Sequence, residues 1–207
     1  MPMDRVRRLR TGCSYIRPMR PHMFVALAVF SACGPSAPPL DEATAIERGQ
    51  GIAGATFQQL SARLQAAMAS DGPSGALRYC SVAALPLVDS LSAVQGVRIK
   101  RTSDRIRAPH DAPDADEQRR LKEVLALLAA GTAPADIPPQ AVVLGDDVAY
   151  YQSILVAMPT CLKCHGAAGA DVDSLTMAAI RDRYPRDAAI GYRVGDFRGL
   201  WSIRWRR

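Results

Sequence analysis

Beyond residue 40, apolar side chains recur at helical spacing. Phe57, Leu60, Leu64 and Met68 share one face and predict a long helix over residues 41 to about 70. Gly49, Gly51 and Gly54 weaken its first half. Asp71-Gly72-Pro73 predicts a stop and a restart, because proline suits a helix's first turn. A second helix is expected over residues 74 to about 93, with Leu77, Cys80, Ala84, Leu87, Val88 and Leu91 on one face. Pro86 is expected to kink or split it, since a proline inside a helix removes a hydrogen bond and crowds the preceding turn.

The pattern then changes period. Residues 96–102 alternate apolar and basic side chains, as a half-buried strand does. A proline-marked loop follows over residues 105–113. The stripe Leu121, Val124, Leu125, Leu128 predicts a third helix from near Asp114, with Gly131 as its stop. Residues 141–144 and 148–156 flank Gly145-Asp146-Asp147 and read as an antiparallel hairpin. A short helix over 174–182 and a strand over 197–205 complete the chain. The fold class is α+β, with helices on an antiparallel sheet.

Charge changes the picture only once it is located. The net charge is +6, but Arg5, Arg7, Arg8, Arg10, Arg17 and Arg20 stand against Asp4 alone in the first 32 residues, so the remainder is close to neutral. No nucleic-acid-binding face is expected. The basic start, the apolar run from Met23 to Phe30 and Phe30-Ser31-Ala32-Cys33-Gly34 read as an export signal ending in a lipoprotein box. The apolar run is too short to span a bilayer. Translation from Met1 or from Met19 is compatible with such a signal. The expected organisation is an export signal over 1–33 with Cys33 lipidated, a flexible tether over 34–44, and one domain over 45–207. The expected location is the periplasm, anchored by lipid to the outer membrane.

Cysteine usage then narrows the chemistry. Of five cysteines, Cys13 and Cys33 fall in the leader, leaving Cys80, Cys161 and Cys164. Cys161-Leu162-Lys163-Cys164-His165 is the C-x-x-C-H attachment motif of c-type haem. Two thiols add to the two vinyl groups, and the adjacent histidine binds the iron. Competing readings are a thioredoxin-like pair, a zinc site recruiting Cys80 and His110, and a local disulfide. One covalent haem is the expected cofactor. Its second ligand has to come from Cys80, His110, Met68, Met158 or Met177. Cys80 on the apolar face of its helix serves equally as a small packed hydrophobe or as a ligand.

Four segments together resemble a bacterial family of PAS-like c-type haem proteins. They are residues 97–103; Arg107-Ala108-Pro109-His110-Asp111-Ala112-Pro113-Asp114; Cys161-Leu162-Lys163-Cys164-His165-Gly166; and residues 187–199, which carry Gly191-Tyr192, Gly195-Asp196 and Arg198-Gly199. The loop departs from the family's Arg-Asn-Pro-x-Asn-x-Pro by placing Ala108 and Asp111 where asparagines are usual. The resemblance implies a PAS-like fold with N-terminal helices around one haem, and Cys80 opposite His165 on the iron. It makes Arg101, Arg105 and Arg107 candidates to pair with the haem propionates, with Tyr192 and Arg198 behind them. The leading functional expectation is a redox or small-ligand sensing module working with a signalling partner protein. An electron carrier with a redox partner is the alternative. A peroxidase-type enzyme ranks last, because His110 is the only spare histidine beyond the leader.

Overall fold

A computed structural model of the protein describes residues 39–207. The export segment, the lipidation candidate Cys33 and residues 34–38 of the tether lie outside the described residues.

The described chain opens with α1, Glu42–Gln95, in two helical halves. Asp41 caps it, accepting bonds from the backbone and hydroxyl of Thr44, so the folded part begins inside the expected tether. The two predicted helices meet at Gly72, whose φ of 66° and ψ of −173° break the helical path just before Pro73. Gly96 closes the element in the left-handed region at φ 63°, with Val97 N–H bonded back to Ser92. The expected split at Pro86 does not occur; helical geometry continues through it. The carbonyl that Pro86 leaves without an N–H belongs to Val82, a 61% exposed residue within reach of water.

Four strands form one antiparallel sheet in the order β1-β4-β3-β2. They are β1 Arg98–Thr102, β2 Gln140–Leu144, β3 Asp147–Leu155 and β4 Phe197–Arg206. The β2–β3 turn is tighter than predicted: Leu144 pairs with Asp147, leaving only Gly145 and Asp146 between the strands. On one face Ile99, Val148, Tyr150, Trp201, Ile203 and Trp205 pack under Ala45, Ile52, Ala53 and Val88 of α1. On the other, Phe197 and Leu200 pack under Leu121 and Val124 of α2, Ala115–Ala129. Asp114 and Glu117 form a reciprocal capping box at the start of α2, and the buried Glu117 also pairs with Lys100 at 2.6 Å. Both sheet faces are therefore covered, which is why β3 is buried at Val148 through Tyr151 without alternation. This is the α+β, PAS-like arrangement expected.

Two details position the site. The β3–β4 ladder pairs Ile154 with Gly199 and Leu155 with Phe197, so Arg198 is an extra residue in a β-bulge. A side chain at Gly199 would collide with the Thr102 carbonyl, which restricts that position to glycine. After β3, residues that carried no helix prediction form α3, Pro159–His165; α4, Ser174–Arg183, follows almost as predicted.

Gly49 is where α1 approaches the sheet most closely: a Cβ there would strike the buried Tyr150 ring. Gly49→Ala is expected to cost about 1–3 kcal/mol through overpacking, read from urea denaturation.

Candidate functional site

The C-x-x-C-H motif makes up most of α3. Pro159 sits in its first turn, where a missing N–H is harmless, and Met158 offers no side-chain cap. Cys161 and Cys164 are three residues apart on a helix and so lie on one side of it, with His165 as the last helical residue.

What holds His165 is a segment twenty residues further on. Its Nδ1 lies 2.8 Å from the carbonyl oxygen of Ala189. A carbonyl only accepts, so in the neutral ring Nδ1 carries the proton and Nε2 keeps its lone pair for a metal. Tyr192 N–H donates to the His165 carbonyl and Gly191 N–H to that of Gly166, both at 2.9 Å. The Tyr192 ring meets the imidazole edge-on, with centroids 6.2 Å apart.

Arg107 fixes this segment. Its guanidinium makes a two-pronged pair with Asp187, at 3.1 Å and 3.0 Å. It also donates to the carbonyls of Cys164, at 2.6 Å, and Ala189, at 3.2 Å. Asp187 in turn accepts from Ala189 N–H at 2.9 Å. The Arg107–Asp187 pair is almost fully buried. Arg107, expected at a propionate, is thus committed to the end of α3 and the segment that supports it. Arg105 departs from expectation further. It does not line the cavity; it donates to the carbonyls of Ala188 and Ile190 and stacks 4.1 Å over Tyr192.

α3 closes one side of a cavity of about 290 Å3 whose other walls come from both halves of α1 and the end of the sheet. Cys80, Cys161, Cys164 and His165 all line it, with Arg101, Arg107 and Arg198 and the apolar Phe57, Leu60, Leu64 and Trp201. Its size is close to the lower end of the range for small-molecule sites, roughly 300–1,000 Å3. His110 and Met68 also reach this wall. Met177 packs instead with Leu77, Val172 and Ile180, and Met158 is partly exposed away from the cavity. Cys80, Cys161 and Cys164 are free among the described residues. Among the described residues no group of three or more His, Cys, Asp or Glu is placed to hold a metal ion. Sequence reasoning named no role for Asp187 or the Ala189 carbonyl. They lie in the 187–199 block but carry no periodicity or motif of their own.

A family model described as Tll0287-like matches residues 19–205. The chain belongs to the Tll0287-like family. Among solved structures, the Tll0287-like fold is matched by the crystal structure of the cyanobacterial haem protein Tll0287. That match has a TM-score of 0.53 and 23% identity, and covers 76% of this chain and 94% of the other. No curated protein matches.

The charge around this Tll0287-like site is lopsided. Burial, with help from the charges of Arg107 and Arg198, holds His165 down at about 3, so the ring is neutral at physiological pH. The ring is enclosed by protein on most sides and meets the cavity on the remainder. Burial pushes the Cys80 and Cys164 thiols up, against the opposing charges of Arg101 and Arg107 respectively.

Two outcomes follow for the polypeptide without ligand. The folded chain refuses a proton on His165 that the unfolded chain accepts between about pH 6.5 and about pH 3. Stability should therefore rise with pH across that window, as read from urea titrations at stepped pH. Arg107→Ala leaves the Asp187 carboxylate buried and unpaired, and should cost about 3–5 kcal/mol by the same measurement.

Proposed function

We propose that this chain is an exported c-type haem protein in which one haem is attached through Cys161 and Cys164, with His165 and Cys80 as iron ligands. The observation that carries the reading is the convergence of Cys80 from α1 with Cys161, Cys164 and His165 from α3 on one cavity. The bond from His165 Nδ1 to Ala189 supports it, by leaving Nε2 free. The unpartnered, buried Nε of Arg198 in the same wall fits a guest that brings negative charge, as the haem propionates do. That the cyanobacterial neighbour is titled a haem protein agrees with this.

Bound there, haem supplies a one-electron couple and an iron site for small ligands. The chain's own residues do the rest. The Ala189 carbonyl orients the imidazole, the Arg107–Asp187 pair keeps that carbonyl in place, and Phe57, Leu60, Leu64 and Trp201 exclude water. Cys80 Sγ holds its proton at neutral pH when it has no metal, so binding iron releases that proton. A thiolate opposite histidine would favour ferric iron and would be weakened as a ligand by reduction, which ranks a redox or small-ligand sensor ahead of a carrier with fixed ligation. We place the protein in the periplasm, held by lipid on Cys33, on the strength of the leader alone.

Protein matured with a c-haem assembly system should keep its haem on a denaturing gel; a colourless polypeptide overturns the proposal. Cys80→Ala should change the ferric Soret band and spin state, and an unchanged spectrum removes Cys80 from the iron. In a redox titration, a very low potential with carbon monoxide binding only after reduction supports sensing. Fast reversible transfer without ligand exchange identifies an electron carrier.

A further inference from the structure

We propose that Arg198, together with Arg101, receives the two haem carboxylates, and that Arg105 and Arg107 do not. The proposal rests on the haem reading above and specifies how that site recognises its guest.

Four arginines surround the attachment segment, and the protein satisfies them unequally. Arg107 is neutralised by Asp187 and donates to two carbonyls besides. Arg105 donates through Nε and Nη2 to two carbonyls and covers the Tyr192 ring. Arg198 is different. The β4 bulge places it in the cavity wall. Nη1 donates to the Arg105 carbonyl at 3.2 Å, Nε is sealed from solvent without a partner, and Nη2 makes no hydrogen bond within the protein; the guanidinium also lies 5.5 Å from the Tyr192 ring, farther than Arg105 does. No carboxylate lies within ion-pair distance of Arg198 among the described residues. Arg101, on β1, lines the same cavity, and among the described residues it has neither a hydrogen bond nor an ion pair. The one carboxylate on the wall, Asp111, faces His110 at 3.5 Å.

A largely buried guanidinium with unmet donors is unfavourable unless a guest supplies the acceptors. The cavity leaves two cations without a carboxylate partner, the largely buried Arg198 and the half-buried Arg101, and haem carries two carboxylates. The planar guanidinium fork matches a carboxylate in geometry as well as charge. The bulge is the device that directs the residue, since an extra residue in one strand re-aims a side chain.

The test uses holoprotein with covalent haem, so that haem staining on a denaturing gel reports the underlying reading separately. The readouts are the midpoint potential and the propionate bending bands in resonance Raman spectra. In Arg198→Gln and in Arg101→Gln, loss of a cation beside the carboxylates should lower the potential and shift those bands. Arg198→Lys, which keeps the charge, should restore most of the potential. Arg105→Gln should leave the bands in place. If Arg198→Gln fails to fold, Arg101→Gln carries the test, because Arg101 is only half-buried and holds no protein group. The proposal is overturned if variants that still stain for haem keep wild-type potential and bands, or if Arg105→Gln shifts the bands as Arg198→Gln does.

Discussion

The carbonyl of Ala189 is the point on which the site depends. It accepts from His165 Nδ1 and from Arg107, while the N–H of the same residue donates to Asp187. One residue without a functional side chain thus fixes the tautomer of a histidine and is itself fixed by a buried ion pair. In this arrangement the buried charges of Arg107 and Asp187 are paired with each other, and Asp187 also accepts from the Ala189 N–H. The same segment occupies two of the local arginines, Arg107 through Asp187 and two carbonyls and Arg105 through the carbonyls of Ala188 and Ile190.

The sheet carries the same logic at larger scale. Both of its faces are covered, so its strands are rigid, and the irregularity at Arg198 and Gly199 is confined to where β4 passes the cavity. The Thr102 carbonyl presses against Gly199, which brings the end of β1, and with it Arg101, close to the bulge. Cys80 arrives from the opposite side on the half of α1 that follows Gly72. The cavity is therefore assembled from residues far apart in sequence, with no single contiguous segment containing it.

That explains which parts were legible in the sequence. The helices of α1 and α2 and the strands came through because each has a periodic apolar face or a turn signal at its end, as at Asp71-Gly72-Pro73 and Gly131. The motif in α3 was legible because its chemistry is contiguous. Pro86 misled because helical continuity depends on whether water can serve the displaced carbonyl, which local sequence does not encode. Arg105 and Arg107 were legible as arginines but not in their roles. Their partners are carbonyls and a carboxylate 57 to 85 residues away, and backbone acceptors leave no mark on side-chain pattern. Asp187 was hidden for the same reason.

The seven-residue length of α3 has a consequence for the order of events in assembly. A helix that short, begun without a side-chain cap, has no stability of its own in water. Its end is secured by backbone bonds from Gly191 and Tyr192, residues made after it. The two thiols of the motif therefore lack a fixed helical frame until residues 187–192 have docked. If haem is attached there as proposed, the arrival of that segment would set the interval open to the attachment chemistry.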